Sequence, residues 1–312
     1  MAVNLKGRNF LKLEDFNKEE LIQILDTADF IKMRNKIGVR EEILKGRTLA
    51  MIFEKSSTRT RVSFEVGMAQ LGGKALHLSA RDIHIGHGET IPDTSRVLSR
   101  YVDGIMIRTY GQEIVEELAK YSDVPVINAL TDEYHPCQIM ADFQTIREKF
   151  HKLDGLKLAY IGDAANVANS LLIGCAIMGI DFSIAAPKGY QPSEEILKTA
   201  QKKSEISGAK LIVTESIEEA VKDANILYTD IWVSMGKEEE SKKRFEVFKN
   251  YKIDNKVVDM ASSDAIVMHC LPAHRGEEIT HEVLEGPRSV VFDEAENRLH
   301  AQKAIMTLLM GK

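Results

Sequence analysis

Between Thr48 and Gly67 the chain reads TLAMIFEKSSTRTRVSFEVG. An apolar, strand-like run ends. Four hydroxyls and two arginines follow within residues 56–61, and apolar residues then resume at helical spacing. Free backbone N–H groups and the positive end of the helix dipole collect at such a helix start, which makes it an anion site. Hydroxyls at Ser57, Thr58 and Thr60 add donors, and the Arg59 guanidinium adds a fork that fits phosphate. A helix cap would account for one of these hydroxyls, with the arginines facing solvent; it does not account for all of them. The Gly-Lys-Ser/Thr ending of a Walker loop is absent.

Further polar clusters follow other apolar runs. Arg108 ends GIMIR. His135 precedes a helix whose first residue is Pro136, with Gln138 one turn in. Gly162-Asp163 leads to Asn166 in GDAANVANS, and Asp230 leads to Ser234 and Met235 in DIWVSMG. His269 and Cys270 end AIVMHC. Each has a plain alternative: a surface arginine, a helix cap, a turn aspartate, an inert buried thiol. GDAANVANS lacks two of the three glycines of a dinucleotide loop, so an NAD-linked binding protein is the weaker rival. HIGHGE (His84, His87, Glu89) and HCLPAH (His269, Cys270, His274) carry metal-ligand residue types without structural-zinc spacing.

These clusters require strands that end at them. Apolar runs predict strands over 48–53, 74–78, 104–107 and 124–129, then 157–161, 181–185, 210–213, 226–229, 256–258 and 266–269. Helical spacing falls between them, over 18–36, 60–71, 90–101, 112–120, 136–149, 167–178, 194–207, 217–222 and 237–250. In the helix after STRTR, Val62, Val66 and Ala69 form one apolar set and Phe64, Met68 and Leu71 another, which predicts burial on two faces. Such alternation predicts an α/β protein of two domains, each a mainly parallel sheet flanked by helices. Ligands of open α/β sheets lie beyond the carboxyl ends of the strands, so the expected active site is the interdomain cleft. The expected domains are 1–150 and 151–292, with the seam at HKLDG and the last helix, 293–312, packing back on the first.

The 312 residues carry a net charge of −6 with acids and bases interleaved, so no basic stripe for nucleic acid is present. Three scattered cysteines argue for a reducing compartment. No apolar stretch is long enough for a bilayer, and the first residues lack a signal-peptide pattern, so a cytoplasmic protein with no membrane partner is expected.

The segments STRTR, HPCQ, DIWVSMG, HCLPA and FDEAENRLHAQKA, collinear along the whole chain, resemble the motifs of the aspartate/ornithine carbamoyltransferase family, and SMG with HCLP resembles its ornithine branch. The resemblance implies transfer of the carbamoyl group of carbamoyl phosphate to the δ-amine of L-ornithine, giving L-citrulline and phosphate, within arginine metabolism. The alternative is a sister carbamoyltransferase for putrescine or an acylated ornithine. It also implies homo-trimers or multiples of trimers, and no metal or organic cofactor. Carried onto this sequence, it implies that Ser57, Thr58, Arg59 and Thr60 hold the phosphate. Arg108, His135 and Gln138 would hold the carbamoyl end, with Cys270 and Leu271 beside both substrates and Arg298 reaching in from the last helix. Asn166, Asp230, Ser234 and Met235 would bind ornithine. Arg108, His135 and Cys270 would be the catalytic set. Two positions depart from the pattern: His84 stands where the family usually has a Gln that reaches a neighbouring subunit's carbamoyl phosphate, and Ala165 where it often has Asn.

Overall fold

The computed structural model describes residues 3–39, 41–79, 88–233 and 240–311. They form two compact units, residues 1–144 with 296–312 and residues 145–295. The chain passes from one to the other inside two helices rather than in loops.

The first unit holds four strands, β1 (Thr48–Phe53), β2 (Lys74–Ser79), β3 (Gly104–Arg108) and β4 (Val126–Leu130). They pair in parallel in the order β2-β1-β3-β4. β3 and β4 are buried throughout, and apart from Arg108 and Asn128 their residues carry no polar side chain, as burial on both faces favours. Helices α1 (Lys18–Lys36), α2 (Thr58–Gln70), α3 (Ile91–Leu98) and α4 (Gln112–Lys120) belong to this unit, and α5 (Pro136–Phe150) leaves it. A reciprocal cap sets the start of α1: Asn17 Oδ1 accepts from Glu20 N, and Glu20 Oε2 accepts from Asn17 N. Gly72 and Gly73 stop α2. Gly72 has φ +81°, and a side chain on Gly73 would meet the Met68 methyl at 2.5 Å.

The second unit holds β5 (Lys157–Ile161), β6 (Asp181–Ala185), β7 (Leu211–Thr214), β8 (Ile226–Thr229) and β9 (Ile266–His269), parallel in the order β7-β6-β5-β8-β9. Its helices are α6 (Asn166–Met178), α7 (Glu194–Ser207), α8 (Ile217–Val221), α9 (Ser241–Phe248), α10 (Asn255–Met260) and α11 (His281–Leu284). Helix α12 (Val291–Met310) begins here and ends in the first unit. There Leu309 O accepts from Gly7 N at 3.0 Å, Met310 lies against Gly104, and Met306 and Lys303 lie against Gly67 of α2.

Nine of the ten strands expected from the sequence are present, several with ends shifted by a residue or two. The tenth, 256–258, is helix α10. Asp254 caps it by accepting from Val257 N at 3.0 Å, and both valines still reach the core. A cap of about 1 kcal/mol outweighs the weak strand preference of two valines. A second expectation also fails: α2 is buried on one face. Phe64 and Met68 are fully enclosed while Val62 and Val66 are exposed.

Candidate active site

In each sheet the strand order reverses beside the first strand of the unit, leaving a crevice at the carboxyl ends. In the first unit that place lies between β1 and β3. Ser57 caps α2 there: its hydroxyl accepts from Thr60 N at 3.2 Å and lies 3.1 Å from Thr60 Oγ1. Thr58 is exposed, Arg59 is half-buried and Thr60 is buried. Arg108 closes β3 at a bulge, where the register with β4 skips from Ile107–Asn128 to Arg108–Leu130. Its carbonyl accepts from Glu54 N at 2.9 Å, which ties the end of β1 to the end of β3. Glu54 also accepts from the Thr109 hydroxyl. Lys55 is buried, paired with Asp132 and 4.2 Å from the centre of the Tyr110 ring.

Arg298, on α12, joins these segments. Its Nη1 donates to Gln138 Oε1 at 2.6 Å, and its Nη2 lies 3.4 Å from Thr60 Oγ1. Gln138 in turn donates to Asp142 Oδ1 at 2.8 Å. With its amide turned to suit its neighbours, Gln302 accepts from Arg298 Nη2 and Nε at 3.0 and 3.2 Å and donates to Ser63. His135 sits at the start of α5, and its carbonyl accepts from Gln138 N at 3.1 Å. Burial pushes the His135 imidazole well below its usual range, and the charges of Arg298, Arg108 and Arg59 push it the same way. The ring is therefore neutral at pH 7 and offers an uncharged N–H beside three guanidiniums. Among the sequence-expected residues of this unit, the structure brings together Ser57, Arg59, Thr60, Arg108, His135, Gln138 and Arg298.

In the second unit the crevice lies between β5 and β8. Asn166 opens α6 and accepts from Val167 N at 2.8 Å. Asp230 follows β8, and its Oδ1 accepts from Ile231 N at 2.8 Å and from the Cys270 thiol at 3.1 Å. Leu271 has φ +57° and precedes a cis proline. Its N–H points at Nδ1 of buried His269 at 2.9 Å, so that nitrogen is the acceptor and Nε2 carries the proton, 3.1 Å from Glu278 Oε1. Glu294 accepts from His269 N at 2.9 Å and from the Tyr228 hydroxyl at 3.0 Å. The Tyr160 phenol is held well above its ordinary range by burial and by the charges of Asp230, Asp163, Cys270 and Glu278, so it stays protonated.

Asp230, His269 and Cys270 offer three ligand atoms within 4.8 Å of one another, as do His274, Glu277 and Glu278. In the first group the His269 nitrogens and the thiol already have protein partners. His84, Ser234 and Met235 lie outside the described residues. Missing from the sequence expectation are Gln302, Asp142 and Glu278. The i, i+4 spacings Gln138/Asp142 and Arg298/Gln302 were a signal for the first two.

The fold and these residues define a class: a two-unit parallel α/β protein with a crevice bearing guanidiniums and hydroxyls on one sheet and an acidic, thiol-bearing crevice on the other. Residues 8–148 match the aspartate/ornithine carbamoyltransferase carbamoyl-phosphate-binding domain, and residues 154–309 match the Asp/Orn-binding domain of that family. The chain belongs to the aspartate/ornithine carbamoyltransferase family. It is 56% identical over 307 residues to the ornithine carbamoyltransferase of Oceanobacillus iheyensis, covering 98% of this chain and 95% of that protein. It is 52% identical over 311 residues to the anabolic ornithine carbamoyltransferase of Pyrococcus furiosus, covering 100% of this chain and 99% of that one. A solved structure of the P. furiosus enzyme superposes with a TM-score of 0.97 at 51% identity, covering 99% of each chain. Among the described residues no helix is long and apolar enough to cross a membrane.

Proposed function

We propose that the chain transfers the carbamoyl group of carbamoyl phosphate to the δ-amine of L-ornithine, releasing L-citrulline and phosphate. The observation that carries this reading is the meeting of Arg298 with both Thr60 and Gln138. It unites three segments far apart in the chain, each bearing anion or carbonyl donors.

In this reading Ser57, Thr58, Arg59 and Thr60 hold the phosphate at the start of α2. Arg108, His135 and Thr60 donate to the carbonyl oxygen as it becomes an oxyanion. Such donors are typically worth about 3 kcal/mol each. A neutral His135 suits this role, since it donates without adding a fourth positive charge. By resemblance, Gln138 is assigned to the carbamoyl end and Arg298 to orienting the donor, with Cys270 and Leu271 assigned beside both substrates. Asn166 and Asp230 bind ornithine, with Asp230 at the α-ammonium. A carboxylate beside the δ-amine would favour its charged form, and only the neutral amine attacks. Freeing that amine at pH 7 costs roughly 4–5 kcal/mol for a group with a lysine-like pKa. A cationic neighbour of the bound amine reduces this cost by like-charge repulsion. The amine adds to the carbonyl carbon, forming the C–N bond and the oxyanion; as C=O re-forms the C–O bond to phosphate breaks, and the departing phosphate accepts the amine proton. Carbamoyl phosphate is already activated, so Cys270 serves as a binding group and not as a nucleophile.

His84, Ser234 and Met235 enter this reading by resemblance, His84 toward a neighbouring subunit's carbamoyl phosphate. A His84→Gln variant with an unchanged pH profile for carbamoyl phosphate affinity argues against a titrating His84. A trimer fits the exposed edge strand β2, which carries the exposed Leu76, and the exposed Val62 and Val66 of α2. Cys137, Cys175 and Cys270 are thiols and not disulfides, which fits a cytoplasmic setting. The biosynthetic direction, within arginine formation, accords with the anabolic P. furiosus relative.

The test is a colorimetric citrulline assay with carbamoyl phosphate and ornithine, then putrescine in its place. Ureido product from ornithine and none from putrescine is the expected result. The reverse, or no product from either, overturns the reading.

A further inference from the structure

We propose that Arg244 is a positioning residue for the amino-acid substrate, clamping the two loops that carry Asn166 and Asp230. The inference rests on the reading of the second unit as the ornithine-binding side. Arg244 lies on α9 and is 2% exposed. Its Nε donates to the Trp232 carbonyl at 2.5 Å, two residues beyond Asp230. Its Nη2 is ion-paired with Asp163, three residues before Asn166. Glu240 Oε2 stands 3.7 Å from Nη1.

Two rings hold the guanidinium in place, Tyr190 at 5.1 Å and Phe248 at 5.4 Å. The same two residues brace the loops. Tyr190 O accepts from Ala164 N at 2.9 Å in the Asn166 loop, and the Phe248 ring lies 6.3 Å from Trp232 at 22°. The loops follow β5 and β8, which are hydrogen-bonded neighbours up to Ile161–Thr229. Beyond that pair the ladder ends, and Arg244 supplies the next connection.

The planar fork is what makes this connection. It directs separate N–H groups at a carbonyl and a carboxylate while its face lies on aromatic rings. An ammonium can meet one of these demands. A merely structural buried arginine would lower stability without separating the two substrates. A clamp on Asn166 and Asp230 acts on ornithine and spares carbamoyl phosphate.

The experiment compares steady-state kinetics of the full-length chain with Arg244→Lys and Asp163→Asn, alongside thermal melts. Both variants are expected to fold and to raise the KM for ornithine about tenfold, since misplacing a substrate by about 1 Å can cost a hundredfold. The KM for carbamoyl phosphate is expected to stay within about twofold. Arg244→Lys with Asp163→Asn is expected to be no worse than Arg244→Lys alone, because both break the same link. Equal rises in both KM values, or an unchanged ornithine KM in folded variants, overturn the proposal. If Arg244→Lys fails to fold, Asp163→Asn alone decides by the same criterion. A wild-type chain that makes no citrulline overturns the functional reading, and this inference with it; active wild type with unaffected variants overturns the inference alone.

Discussion

The Cys270 thiol donates to Asp230 Oδ1 at 3.1 Å across a separation of forty residues. Strand register produces the contact: Thr229 pairs with His269 in the parallel ladder, so the next residue of each strand meets its counterpart at the sheet's edge. The thiol therefore occupies one lone pair of the carboxylate expected to meet ornithine's α-ammonium. Removing it with Cys270→Ala leaves Asp230 less well oriented. Ornithine KM is expected to rise about tenfold, the worth of one hydrogen bond to a charged group. Turnover at saturation persists if the sulfur is not a nucleophile. Steady-state kinetics check this; abolished turnover with intact ornithine binding contradicts the assignment.

Arg298 is held by Gln138 and within reach of Thr60. Arg298→Lys keeps the charge but loses the fork. Affinity for carbamoyl phosphate is expected to fall by roughly ten- to a hundredfold, the worth of a charge-assisted hydrogen bond, with ornithine KM little changed. Isothermal titration with carbamoyl phosphate or phosphonoacetate as probe measures it.

His135 is kept neutral first by burial and then by Arg298, Arg108 and Arg59. A dianion bound among those guanidiniums offsets part of their charge. The His135 pKa is therefore expected to be higher in the complex than in the free protein. Imidazole 15N shifts followed from pH 8 downward read this directly. A ring that titrates at the same pH with and without a bound dianion refutes the electrostatic link.

Burial lowers the Lys303 ammonium from its ordinary 10.5 to about 8, although Nζ keeps a 2.8 Å bond to Gln70. Below about pH 8 the lysine is protonated in both folded and unfolded chains, and the cost of the buried charge is fully present. As pH rises from about 8 to 10.5 the folded chain gives up its proton first, so stability increases over that window. Lys303→Met should stabilise the protein near pH 7, by roughly 1–2 kcal/mol once solvent screening of the charge is allowed for, and by less at pH 10. Urea unfolding at the two pH values tests the sign.

Much of the fold was legible because its causes are local. Apolar runs such as 104–107 fit strands covered on both faces, and Ser57 with Thr60 encodes a helix start within four residues. Polar side chains placed just past such runs already pointed to the strand ends. The errors came where burial is set by distant partners. Val257 and Val258 are as apolar as a strand requires, yet the Asp254 cap and the surrounding core make them helix. Val62 and Phe64 are both apolar, yet Phe64 is fully buried while Val62 stays half-exposed.

Most strand ends and several helix starts were thus legible in the sequence to within a residue or two, through hydrophobic period and capping chemistry. The tertiary structure decided which side chains meet. Arg298 reaches Gln138 across 160 residues, Cys270 reaches Asp230 through the β8–β9 register, and Arg244 bridges Asp163 and Trp232. Spacing along the chain carries no signal for such pairs, because their distance is set by how sheets order their strands and how helices pack between them.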